Sequence, residues 1–256
     1  LVGSEMCIRD SDDTEQWKIA GINHQAWLLE ISRDGKDLYP EIKARAAART
    51  EKHNDMVRYE IMKRFGYYVT ESSEHNSEYM PYFIKDKYPE LIERFNIPLD
   101  EYPRRCVNQI EKWTQMRKDL VEKHDLTHER SKEYASHIME AMETNQPYKF
   151  GGNVLNTGLI PNLPAEAAVE VPCLVDKSGV QPVYVGNLPP QCAAMNRTNI
   201  NVQLLTIEAA LTGKKDYIYQ AAMMDPHTAS ELSIDDIVAM CDDLIETHGS
   251  WLPKYH

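Results

Sequence analysis

At 256 residues the chain is long enough for one substantial core, or for a core with lobes. Twenty-eight lysines and arginines against 40 aspartates and glutamates give a net charge of −12, a field that repels nucleic acid and anionic membrane surfaces. No apolar run approaches the ~20 residues of a membrane span, and no basic stretch followed by an apolar one marks a secretory signal. Cys7, Cys106, Cys173, Cys192 and Cys241 are odd in number, scattered and without CxxC spacing, which is the usage of reduced thiols and predicts a cytoplasmic protein. The chain opens without a methionine, and residues 1–11 lack periodicity and look like a translated sequencing-adaptor peptide. They are set apart as a non-native leader, and residues 12–256 are treated as one domain.

Trp17 to Ala20 predicts a strand running into a turn at Gly21, and Ala26 to Ile31 continues apolar. Asp34-Gly35 is a hairpin turn signal. After Tyr39-Pro40 a helix is predicted from Glu41 to about Arg49. Asn54 is the expected N-cap of the next, where Met56, Tyr59, Met62 and Phe65 fall at helical spacing and Gly66 stands at C′. Glu60 then points roughly 100° around the helix from Tyr59. Thr70 to Tyr79 is polar and is read as a loop, either lining a sugar pocket or solvated.

Pro103 predicts the start of a long helix carrying Cys106, Ile110, Trp113, Leu120 and Val121 on one stripe. Ser131 is the expected cap of another, with Tyr134, Ile138 and Met142 on one face. Both stripes read as core or subunit interface. Val169 to Val175, the turn Asp176 to Gly179, and Val180 to Val185 predict a β-hairpin. Helices follow from Pro189-Pro190 to Thr212-Gly213, over Tyr217 to Met224, and from Ser233, with Asp236 at the third position, to His248-Gly249. Helices outnumber strands and the strands fall in two places, which is an α+β arrangement. No GxGxxG fingerprint is present, and Gly151-Gly152 does not supply one.

The chemistry gathers at Gly21-Ile22-Asn23-His24-Gln25-Ala26-Trp27. There a turn delivers an amide and an imidazole together, donors suited to a divalent metal and a polyhydroxylated ligand. With 40 acidic residues, pairs of carboxylates are trivially available and single out no glycosidase site.

Downstream stand Val57-Arg58-Tyr59-Glu60, the run Phe65 to His75, Asp100-Glu101-Tyr102-Pro103, the loop Asn153 to Pro164, Thr198 to Gln203 and Ala221 to Pro226. With the Gly21–Trp27 motif and in this order, they resemble the C-terminal part of glycoside hydrolase family 4, its α-galactosidase (melibiase) branch. The resemblance runs from about Trp17 to the end. It implies a domain similar to the C-terminal domain of lactate and malate dehydrogenases, mostly helical with small antiparallel sheets, and a Rossmann domain that this chain does not contain.

The resemblance also implies a redox route rather than the two-carboxylate one. NAD oxidises C3 of the sugar, a base removes the acidified C2 proton, the C1 group leaves, water adds and the hydride returns. A divalent metal, Mn²⁺, polarises the C2 and C3 oxygens. Carried onto this sequence, His24 is the metal ligand and Asn23 its sugar-contacting neighbour. Tyr59 is the C2 base, with Glu60 the alternative because the short alignment can slip by one. The asparagine-rich loop places Asn153 at the cofactor and Asn156 at the substrate. The family's second protein ligand, a cysteine in a Cys-His-Ser motif, is not in this chain. The implied substrate is a melibiose-like α-galactoside, the implied assembly a homodimer or homotetramer, and the fragment alone is expected to be inactive. The alternatives are an α-glucosidase or α-glucuronidase of the same family, or a non-catalytic dehydrogenase-like dimerisation module.

Overall fold

Residues 15–123, 130 and 133–256 are described by a computed structural model. The first hairpin is β1 (Glu15–Ile22) and β2 (Gln25–Arg33), extended by β3 (Lys36–Asp37) beyond the Asp34-Gly35 turn. Next come α1 (Tyr39–Ala48), α2 (Met56–Phe65), β4 (Tyr68–Val69) paired with β2, and the short α3 (Ser73–Glu78). The helices α4 (Glu90–Arg94), α5 (Glu101–Glu122) and α6 (Ala135–Thr144) follow, α6 packing Ala141 and Ile138 on the main core, and lead to β5 (Tyr148–Leu155), β6 (Ala168–Asp176) and β7 (Gly179–Pro182). The chain closes with α7 (Pro190–Thr212), α8 (Asp216–Met224), α9 (Pro226–Glu231) and α10 (Ile234–His248).

The fold is α+β, as the pattern predicts, and the two strand clusters turn out to be one antiparallel sheet. Its main path is β3-β2-β1-β6-β5, and the two halves meet where Gly21 of β1 pairs with Glu170 of β6. Strand alternation sorts the side chains of β2. Trp27 faces the large core with Val57 and Ile61 of α2, Val169, Val171 and Cys173 of β6, and Ile200 of α7. Ala26 and Leu28 face the opposite side, where Tyr39 of α1 and Met62 of α2 cover them. β6 is buried on both faces from Val169 to Cys173.

Several details differ from the sequence pattern, each for a local reason. Asp55, not Asn54, sits at the N-cap of α2, and its carboxylate goes to Arg58 and to the Tyr68 hydroxyl instead of capping. The Thr70–Tyr79 stretch contains a helix, because the Ser72 hydroxyl accepts from the His75 N–H and caps it. α5 has no buried residue, so Ile110, Trp113 and Val121 face outward from this chain. Ser131 lies outside the described residues, as do residues 1–14; α6 begins at Ala135. Ser233 caps α10, accepting from the Asp236 N–H.

The joint of the two half-sheets needs a residue without a side chain. A Cβ on Gly21 would lie 2.6 Å from both the Ala26 Cα and the Gln25 carbonyl oxygen, which are backbone atoms that cannot swing away. Gly21→Ala is therefore expected to cost about 1–3 kcal/mol through overpacking. A lowered urea midpoint checks this, and an unchanged midpoint contradicts it.

Candidate active site

The β1–β2 connection is Asn23-His24, and His24 takes a left-handed backbone conformation (φ 65°) that costs a non-glycine residue about 1–2 kcal/mol. The tip is held from both sides. Thr70 donates its N–H to the Ala26 carbonyl at 2.8 Å and accepts the Ala26 N–H on its hydroxyl at 3.0 Å, which bolts the approach to α3 onto β2. From α7, the fully buried Asn196 donates to the Gln25 carbonyl at 2.6 Å and accepts from the Trp27 indole N–H at 3.1 Å. Asn199 donates to the Gln25 side-chain oxygen at 3.2 Å and to the Tyr79 carbonyl at 3.4 Å.

These clamps bring His24 against residues of α3 and its flanks. Its Nδ1 lies 3.2 Å from the Tyr79 hydroxyl, and its Nε2 lies 3.7 Å from a Glu71 carboxylate oxygen. The His75 ring stacks on that of His24 at 5.3 Å and is itself 4.0 Å from the other Glu71 oxygen. Glu78 holds His75 Nδ1 at 3.1 Å. Glu71 is only 9% exposed, its backbone is also left-handed (φ 67°), and its Oε2 makes no hydrogen bond among the described residues.

Two titrations are displaced by this packing. Burial pushes the His24 pKa down, with the neighbouring His75 acting the same way and Glu71 pulling against both. The imidazole is thus neutral at pH 7, the form that can donate a lone pair to a metal. Burial pushes the Tyr79 hydroxyl up, assisted by the carboxylates of Glu78 and Glu71, so it is protonated at rest.

The residues singled out from sequence are distributed unevenly. Asn23 is exposed beside His24 at the hairpin tip. Tyr59 packs on His53, with ring centroids 4.7 Å apart, and lines a cavity of about 510 Å³ between α1 and α2 with Lys43, Arg49 and Arg94. Glu60 borders that same cavity, not a separate face, and accepts from Arg64 at 2.8 Å. The residues lining it do not include the His24 cluster.

Asn156, expected at the substrate, is 1% exposed and donates to the carbonyls of Ile160, Leu163 and Pro164 while accepting from the Ile160 N–H. Its amide is buried and spent on the loop's own backbone, so its side chain is not open to a substrate, against that expectation. Asn153 is exposed on β5 opposite Glu170.

Glu71, His75 and Tyr79 were absent from the sequence-derived candidates although a signal exists. His75 and Tyr79 stand four apart, the spacing of one helix face, and Glu71 directly precedes the Ser72 cap.

Among the described residues no three His, Cys, Asp or Glu side chains converge on a metal position. Even so, the neutral His24 ring beside the orphaned Glu71 oxygen suits one edge of such a site. The buried thiols Cys173, Cys192 and Cys241 have raised pKa values, Cys192 up to about 12, and are poor ligands. Among the described residues no glycine-rich turn cradles a dinucleotide: Gly151-Gly152 lie within β5, and a Cβ on Gly152 would meet the Cys173 sulfur at 2.7 Å.

The family 4 glycosyl hydrolase C-terminal domain matches residues 19–228. The chain belongs to glycosyl hydrolase family 4. It is 66% identical to an α-galactosidase of Bacillus subtilis (strain 168) over 239 residues, 93% of this chain and 55% of that protein. It is 33% identical to an α-galactosidase of Rhizobium meliloti (strain 1021), over 92% of this chain and 50% of the relative. The chain thus spans about half the length of these relatives. In fold it is similar to a 6-phospho-α-glucosidase from gut microorganisms crystallised with NAD and Mn²⁺, with a TM-score of 0.70 at 19% identity, covering 98% of this chain and 59% of the other.

Within this family 4 domain the electrostatics of the cluster are directly measurable. In metal-free protein, His24 is expected to titrate below the ordinary imidazole value of about 6.5. Glu71→Gln removes the one carboxylate that opposes the shift, so it should move the His24 pKa lower still. NMR of the ring proton reads both, and an upward move in Glu71→Gln contradicts the arrangement.

Proposed function

We propose that this chain supplies the metal- and sugar-binding side of an NAD- and Mn²⁺-dependent α-galactosidase acting on melibiose-like α-galactosides. The observation that carries the reading is the His24–Tyr79 pair beside the orphaned Glu71 oxygen. The 66% identity to an α-galactosidase favours the galactoside over an α-glucoside or α-glucuronide, and over a dimerisation module without chemistry.

In this reading His24 would hold the metal, its Nε2 being the nitrogen that faces Glu71, and the exposed amide of Asn23 would contact sugar hydroxyls beside it. A divalent ion held there would supply Lewis acidity to the sugar oxygens at C2 and C3, while the acidity of the C2 proton itself comes from a carbonyl at C3. Engaging Nε2 fixes the ring proton on Nδ1, where it is directed at the Tyr79 oxygen 3.2 Å away. A donor at that point favours the phenolate, offsetting the burial and the carboxylates that otherwise keep Tyr79 protonated. Tyr79 is thereby the side chain poised to take a proton next to His24, in preference to Tyr59 or Glu60 in their separate cavity. Asn153, exposed on β5, is the residue assigned to the cofactor side, and no step is derived through the dinucleotide because no described residues cradle it.

The same proposal holds that the chain alone is inactive and that the whole protein is cytoplasmic and a homodimer or homotetramer. The outward stripe of Ile110, Trp113 and Val121 on α5 supports self-association. The described cysteines are free thiols, which suits a reducing compartment.

The test is deuterium exchange at C2 of the galactoside in D₂O by the full-length enzyme. Tyr79→Phe is expected to lower exchange and hydrolysis by about 10²–10⁴-fold, the usual loss of a general base, with Tyr59→Phe near wild type. Loss in Tyr59→Phe or Glu60→Gln with Tyr79→Phe unaffected would move the base to the other cavity.

A further inference from the structure

His75 is a wall shared by two spaces. One side of its ring stacks on His24; it also lines a cavity of about 400 Å³ between α3 and the start of α5. That volume lies in the range of small-molecule sites. The walls include Glu78, Leu99, Asp100, Tyr102 and Arg105. Tyr102 is 76% exposed, so a large aromatic ring is open to contact.

The charges in this cavity select against anions. Arg105 is its cation, and it is already engaged by Glu74 at 3.3 Å and Glu101 at 3.2 Å. The Asp100 side chain does not cap α5, and Glu78 pairs with His75. A phosphate placed here meets surplus negative charge. A neutral polyol meets carboxylate acceptors on its hydroxyls and an aromatic face for its C–H surface, the combination that recognises an uncharged sugar.

We infer that this cavity is the subsite for an uncharged sugar leaving group, with Tyr102 as its stacking platform. The inference rests on the reading of the His24–Tyr79 cluster as the galactoside site, since His75 makes the two spaces adjoin. Substrates are then selected at two places: the galactosyl ring at the hairpin tip, and the released sugar beyond His75.

Two substrates of the full-length enzyme separate the inference from its premise: methyl α-galactoside, whose leaving group is too small to reach Tyr102, and a galactosyl-α-1,6-glucose disaccharide. Tyr102→Ala is expected to raise KM for the disaccharide about tenfold, the scale of one lost aromatic contact, and to leave KM for the methyl glycoside unchanged. Tyr102→Phe should behave as wild type. With the disaccharide phosphorylated on its glucose, turnover should be poorer, and Asp100→Asn, which keeps a residue tolerant of the left-handed backbone there, should recover part of it. Equal changes for both galactosides, or none for either, overturn the subsite alone, as does a preference for the phosphorylated leaving group. Failure of the wild-type enzyme to hydrolyse either galactoside overturns the galactoside reading and the subsite together.

Discussion

The structure depends on a backbone-to-backbone approach at Gly21. There β1 is pressed between β2 and β6, and the pairing of Gly21 with Glu170 is what makes one sheet of two distant hairpins. Asn196 of α7 closes over the same point, taking one hydrogen bond from Trp27 and giving another to the Gln25 carbonyl. Buried polar groups satisfied in this way fix one geometry, because any shift leaves a donor or acceptor unpaired at a cost of about 1–3 kcal/mol. The residue that this joint aims is His24, two positions beyond the end of the pressed segment.

That rigidity lets the site hold conformations that free chains avoid. His24 and Glu71 both stand at positive φ, one at the hairpin tip and one before α3, and they face each other across 3.7 Å. Strained residues persist only where the surroundings over-determine them, and here Thr70 and Asn76 do so from the α3 side, with Asn76 donating to the Thr70 and Ser72 carbonyls. The result is a cluster with an asymmetric charge balance: a neutral imidazole, a protonated tyrosine, and a buried carboxylate with one oxygen unspoken for. The neutral imidazole and the open carboxylate oxygen are groups that a cation can engage.

Much of this was legible in the chain itself. Helix limits at Gly66, Thr212-Gly213 and Ser233 followed from capping chemistry that is local, and the turn at Asp34-Gly35 likewise. The motif around His24 stood out because its donors are adjacent in sequence. What stayed hidden was set by tertiary contact. The union of two strand clusters rests on the one pairing of Gly21 with Glu170, which no local pattern announces. Asn156 looked like a ligand contact, but a buried loop carbonyl and a sugar hydroxyl ask the same of an amide, and only burial tells them apart. Tyr59 drew attention by sequence context, whereas Tyr79 reaches His24 through the placement of α3. The four-residue spacing of His75 and Tyr79 is in the sequence, but the surrounding serines and glutamates have the composition of a loop, and the Ser72 cap is what makes the stretch helical.

This chain spans about half the length of its family 4 relatives, and its described residues bring one imidazole, one tyrosine and one exposed amide to the hairpin tip. The claim on which the account turns is that His24 binds the metal. Pulsed EPR of the full-length enzyme loaded with Mn²⁺ measures it directly, as a hyperfine coupling from a directly bound imidazole nitrogen. The coupling is expected in wild type, absent in His24→Gln and retained in His75→Gln. A coupling that survives in His24→Gln contradicts it.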